Sequence, residues 1–93
     1  MNQPTGVQKR VVIRNKYGLH ARPAAAFVKK AHEFESDVWV RKEELEVNGK
    51  SIMGVMMLAA EHGAEIVIRA LGADAELAVD TLSALVDGRF GEE

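Results

Sequence analysis

A histidine and an arginine two residues apart, His20 and Arg22, stand between a glycine and a proline in Gly18-Leu19-His20-Ala21-Arg22-Pro23. Imidazole is neutral near physiological pH and is then a competent nucleophile. A guanidinium beside it can grip phosphate oxygens bidentately. Pro23 suits the first turn of a helix, where a missing N–H does little harm, and this places His20 at or just before the cap. The N–H groups of Ala21 and Arg22, at the positive end of the helix dipole, then make an anion site beside the ring. Such parts fit phosphoryl handling, in which positioning and charge stabilisation are most of what a protein supplies. From spacing alone, an ordinary cap histidine beside a solvated arginine is an equally open reading.

The elements around this site follow from periodicity. Val7 to Arg14 reads as a strand on its β-branched Val11-Val12-Ile13 run, and Asn15-Lys16-Tyr17-Gly18 breaks it. Gly18 is a candidate for positive φ or close backbone approach. Ala24, Phe27, Val28 and Ala31 recur at i, i+3, i+4, i+7 and form the buried stripe of a helix. Asp37 to Arg41 alternates as a strand, Glu43-Glu44 turns, and Leu45 and Val47 return as a short partner that ends at Asn48-Gly49. Ser51 is placed to cap a short helix from Ile52 to about Met57. After the Glu61-His62-Gly63 turn, Glu65 to Leu71 is a strand with Ile66, Ile68 and Ala70 on one face. Gly72-Ala73-Asp74 opens a last helix with Ala78, Leu82, Leu85 and Val86 inward, and Gly88 is expected at C′. Phe90 is expected to fold back onto the core. Residues 1–6 and Gly91-Glu92-Glu93 are expected to be loose. Helices with one apolar face and half-polar strands indicate a two-layer α+β domain, one sheet covered on one side.

Composition narrows the function. Ninety-three residues suffice for one domain, 1–93, ordered over about 7–90. With no cysteine there is no disulfide or thiol chemistry, and His32 and His62 lack metal-ligand spacing, so they read as solvated. Neither a metal nor another cofactor is expected. A net charge of −2 and 5% aromatics argue against a nucleic-acid module, although a small α+β binding domain is the rival from that class. The longest apolar run, Ile52 to Ala60, is too short to cross a bilayer, and the first residues carry no signal-peptide core. A cytoplasmic protein without membrane insertion is expected. Trp39 reads as packing on the sheet.

The stretch Gly18-Leu19-His20-Ala21-Arg22-Pro23-Ala24 resembles the active-site signature of HPr, the histidine phosphocarrier of the phosphoenolpyruvate-dependent phosphotransferase system. A second block, Asn48-Gly49-Lys50-Ser51-Ile52-Met53-Gly54-Val55-Met56, resembles that family's regulatory-serine segment. Element order agrees from Val7 to Phe90. The resemblance implies an open-faced β-sandwich, a four-stranded antiparallel sheet backed by three helices in the order βαββαβα, with the strands lying first, fourth, second, third.

It also implies that His20 takes a phosphoryl group on Nδ1 from enzyme I and passes it to an enzyme IIA domain, as a stoichiometric relay and not a turnover enzyme. Ala21 and Arg22 would hold the phosphate. Ser51 would be the target of HPr kinase/phosphorylase. On the exposed short helix, Ile52, Met53 and Met56 are candidate partner contacts, joined by Ala25 and Lys29 one and two turns beyond His20. A methionine stripe is more often core than interface. Tyr17 departs from the small polar residue common at its position. Asn15-Lys16 and the Gly-Arg-Phe-Gly-Glu-Glu ending are similar to proteobacterial members, including those of the nitrogen-type system, so a sugar-uptake or a nitrogen-regulatory output stays open. A monomer is expected. The alternative is a regulatory binding protein whose partners read the state of His20 without onward transfer.

Overall fold

The computed structural model describes residues 6–92. The loose ends expected at residues 1–5 and at Glu93 lie outside the described residues. In chain order the elements are β1 (Val7–Val12), α1 (Ala21–Ala31), β2 (Asp37–Lys42), β3 (Leu45–Asn48), α2 (Ile52–Met57), β4 (Glu65–Leu71), α3 (Ala75–Asp87) and a short 3₁₀ turn, Arg89–Gly91. The four strands form one antiparallel sheet in the order β1-β4-β2-β3. Thus β4, the last strand made, lies between the first and second, and its residues Ile66, Ile68 and Ala70 are fully buried against the helices.

The period-2 and period-3.6 patterns meet in one core. Val11 and Ile13 come from β1 and its exit, Val38 and Val40 from β2, and Phe27, Val28 and Ala31 from α1. Each large apolar side chain so buried contributes about 1.5–3 kcal/mol. On α3 the inward stripe is Ala75, Ala78, Val79, Leu82, Ser83 and Val86. Leu85, expected on that stripe, is only half-buried, because the 3.6-residue period carries 82, 83 and 86 inward and leaves 85 at the edge. On the uncovered face of the sheet, the Arg69 guanidinium lies 4.0 Å from the Trp39 ring centroid and reaches Glu46 at 3.0 Å. Trp39 therefore packs on the sheet beneath a cation.

The end of α3 differs from the expectation. Gly88 keeps right-handed geometry (φ −83, ψ 11), and its N–H continues the helix by donating to the Ala84 carbonyl at 2.9 Å. The left-handed residues come afterwards: Arg89, Phe90 and Gly91 have φ of 60, 55 and 76. Two side-chain-bearing residues in that region cost about 1–2 kcal/mol each, so the turn persists because the surroundings hold it. Phe90 does fold back, packing half-buried against the core. The turn sends Gly91 and Glu92 across the molecule, so these two residues are placed and not loose.

Candidate functional site

The approach to His20 is built by backbone hydrogen bonds that leave little freedom. Ile13 donates to the Ala64 carbonyl at 2.8 Å and accepts from Gly63 at 2.7 Å, which ties the exit of β1 to the turn before β4. Asn15 is completely buried. Its carbonyl accepts from Gly18 N–H at 3.2 Å, and its side-chain Nδ2 donates to the Gly18 carbonyl at 2.7 Å, so one asparagine closes the turn from both sides. Gly18 sits at φ +72, where a Cβ would stand 2.4 Å from the Ala60 carbonyl oxygen. That same oxygen accepts the Leu19 N–H at 2.8 Å. With Leu19 in the core, the next residue is delivered to the start of α1.

His20 is the N-cap of α1, with extended backbone (φ −76, ψ −171) and no side-chain capping bond. Its carbonyl accepts the Ala24 N–H at 2.9 Å, the first bond of the helix. The N–H groups of Ala21 and Arg22 precede that ladder, and Pro23 has none to offer. His20, Lys16, Tyr17, Arg22, Gly91 and Glu92 line an open cleft of about 740 Å³. The Tyr17 ring stands edge-on to the imidazole, centroids 6.3 Å apart at 84°, and Lys16 Nζ lies 5.3 Å from the Tyr17 centroid. Where a small polar residue would offer a hydrogen bond, this chain places an exposed aromatic wall beside two cations. The arrangement suits an anion delivered from solvent to an imidazole at a helix terminus.

The imidazole also has a carboxylate neighbour in this cleft. Glu92 Oε1 lies 3.4 Å from His20 Nε2 and accepts from Asn15 Nδ2 at 3.2 Å. The Glu92 side chain is only 19% exposed, against 40% for His20. Sequence reading passed over Asn15 as a turn residue and Glu92 as tail. An asparagine at a strand exit does signal a side-chain-closed turn, but nothing local places a carboxylate seventy-two residues downstream against the imidazole.

The second region lies on α2, which packs against α1. Ser51 is its N-cap, and its Oγ accepts the Gly54 N–H at 3.0 Å. Of the methionine-rich face only Val55 is buried; Ile52, Met53, Met56 and Met57 are exposed, Met53 by 76%. Ala25 and Lys29 are exposed on α1. His32 and His62 are exposed yet not merely solvated: His32 Nε2 lies 3.1 Å from the Lys50 carbonyl, and His62 Nδ1 lies 3.3 Å from the Asn15 carbonyl. Among the described residues no three His, Cys, Asp or Glu side chains are grouped to hold a metal, and no helix is long and apolar enough to cross a membrane.

Comparison with known proteins agrees with this geometry. The family model described as the PTS HPr component phosphorylation site matches residues 7–87. The phosphocarrier protein HPr of Neisseria meningitidis is 48% identical over 86 residues, 92% of this chain and 97% of that protein. The HPr-like protein Crh of Bacillus subtilis is 49% identical over 80 residues, 86% of this chain and 94% of Crh. The crystal structure of an HPr from Thermoanaerobacter tengcongensis superposes with a TM-score of 0.90 at 46% identity, covering 94% of this chain and 98% of that one.

Proposed function

Since this chain belongs to the HPr family of phosphocarrier proteins of the phosphotransferase system, we propose that His20 is the residue that carries the phosphoryl group. The observation that carries the proposal is the placement of His20 as the α1 N-cap in a cleft with Lys16 and Arg22. The phosphoryl oxygens are received by the Ala21 and Arg22 N–H groups and by the Arg22 guanidinium, so the negative charge is met by donors already in place. The donor is enzyme I and the acceptor an enzyme IIA domain. The exposed Ile52, Met53 and Met56 on α2, with Ala25 and Lys29 on α1, form the docking face. Flexible methionine side chains suit a surface that must fit partners of different shape.

Ser51 adds a control point. A phosphate on Ser51 Oγ would replace the acceptor now held by Gly54 and put a dianion at the edge of the apolar patch. The fold tolerates it at a helix N-terminus, whereas docking through Met53 is opposed. HPr kinase/phosphorylase is the modifying enzyme in this reading. The test is intact mass after incubation with phosphoenolpyruvate and enzyme I, on the natural protein and on His20→Ala. One acid-labile phosphoryl group, absent from the variant, is expected. Equal labelling of the variant would refute the assignment of His20.

A further inference from the structure

We propose that the exposed thioethers of Met53 and Met57 are a modification site, oxidised to sulfoxides by peroxide, and that this oxidation releases the chain from enzyme I. The inference rests on the α2 face being the docking surface proposed above. Sulfur is concentrated in this chain. It has no cysteine and four methionines, and apart from Met1 they all lie on α2, at 53, 56 and 57. Val55 is the only residue of that helix that is buried. Met53 and Met57 stand one turn apart on the side away from it, 76% and 67% exposed, while Met56 is 41% exposed. Among the described residues the hydrophobic core contains no methionine, so packing uses none of these thioethers.

An exposed thioether is a two-electron reductant. Its sulfur lone pair attacks one oxygen of the peroxide, the O–O bond breaks, and the departing oxygen keeps that bond's electron pair. The hydroxylated sulfur then gives its proton to the departing oxygen. A sulfoxide and water result, with the thioether oxidised and the peroxide reduced. No other group of the protein has to assist, so exposure decides which sulfur reacts first. With no thiol in the chain to compete, the oxidant falls on α2. A sulfoxide is polar and chiral where the thioether was apolar and adaptable, and those lost properties are the ones that suit methionine to several partners. The fold is spared, because Val55 still anchors α2 and Ser51 Oγ still caps it. The cleft at His20 is lined by no methionine, so the phosphoryl-bearing group is not altered. The modification therefore acts on docking and leaves the chemistry of transfer in place.

The test treats the natural protein with hydrogen peroxide, removes the peroxide, and locates each added oxygen by mass mapping of peptides. Met53 and Met57 should gain oxygen before Met56. Binding to enzyme I is then measured by calorimetry, and phosphorylation by enzyme I and phosphoenolpyruvate is followed as the chain concentration is varied. The oxidised chain should bind about tenfold more weakly and show a raised KM with kcat little changed. Methionine sulfoxide reductases, one for each sulfoxide epimer, should restore the original affinity. A chain combining Met53→Leu, Met56→Leu and Met57→Leu is the control. Whatever its own affinity, peroxide should not change it. Oxidation of Met56 ahead of Met53 and Met57 would overturn the choice of site. A loss of binding that the reductases do not reverse, or that also appears in the leucine variant, would overturn the mechanism. Met53→Glu separates the two levels of the argument. Unchanged binding of the oxidised chain with weakened binding of Met53→Glu overturns this inference alone, whereas unchanged binding of both removes the docking face and this inference with it.

Discussion

Replacing Gly18 by alanine tests the physical basis of the site most sharply. At φ +72 an L residue is disfavoured by about 1–2 kcal/mol. The new Cβ would also stand 2.4 Å from the Ala60 carbonyl oxygen and 2.9 Å from Glu61 Cα, both backbone, so the loop must shift. The bond most exposed to that shift is Leu19 N–H to the same Ala60 oxygen, 2.8 Å long and worth about 1 kcal/mol. The sum is about 2–3 kcal/mol. At about 4–8 °C per kcal/mol for a domain of this size, Tm falls by roughly 8–24 °C. Gly63→Ala is the matched control: its φ is +89, but a Cβ there meets nothing within 4 Å, so only the backbone penalty applies. Thermal unfolding by circular dichroism measures both. Gly18→Ala should lose more stability than Gly63→Ala and also slow phosphorylation of the adjacent His20. Equal losses in the two variants would show that the Ala60 contact does not constrain the loop.

Three other perturbations have defined outcomes. Ser51→Ala removes the acceptor held by Gly54 and should cost about 1 kcal/mol in denaturant unfolding, while abolishing labelling by an HPr kinase. Met53→Glu, at a residue 76% exposed, should change stability by less than about 0.5 kcal/mol yet weaken enzyme I binding about tenfold by calorimetry. Asp74 accepts hydrogen bonds from the Ser36 hydroxyl and from the Glu35 and Ser36 N–H groups, and these donors, the Ser36 hydroxyl foremost, lower its pKa from the usual 3.8. A carboxylate whose pKa is depressed by folding stabilises the protein above its unfolded value, and that stability is lost as pH falls through the folded value. Asp74→Asn should therefore be less stable than the natural protein at neutral pH, with the gap closing in acid below the ordinary aspartate range. A gap independent of pH would refute the charge argument.

Fold and site were legible to different depths, for physical reasons. The buried stripe Ala24, Phe27, Val28, Ala31 and the alternation Ile66, Ile68, Ala70 are local patterns tied to element period, and both lie in the core. The caps at His20 and Ser51 follow from short-range chemistry, Pro23 in the first turn and a serine before an apolar run. The exposure of Met53 followed only from the family resemblance, because a methionine stripe by itself favours the core. What was missed depends on long-range placement. Gly88 looked like the left-handed residue after α3, yet the left-handed turn falls on Arg89 and Phe90, which no propensity favours. Packing of Phe90 overrides that propensity, and the same turn sets Glu92 beside His20. The imidazole's second neighbour thus comes from the far end of the chain, out of reach of any local motif.

The most direct test of a relay through His20 is onward transfer. The chain, phosphorylated by enzyme I and then freed of it, is mixed with an enzyme IIA domain, and both proteins are weighed intact over time. The account predicts that the phosphoryl group leaves this chain and appears on the acceptor in equal amount, with none reaching it when His20→Ala is used. Phosphate that stays on this chain in the presence of a competent acceptor, or that reaches the acceptor through His20→Ala, would contradict it.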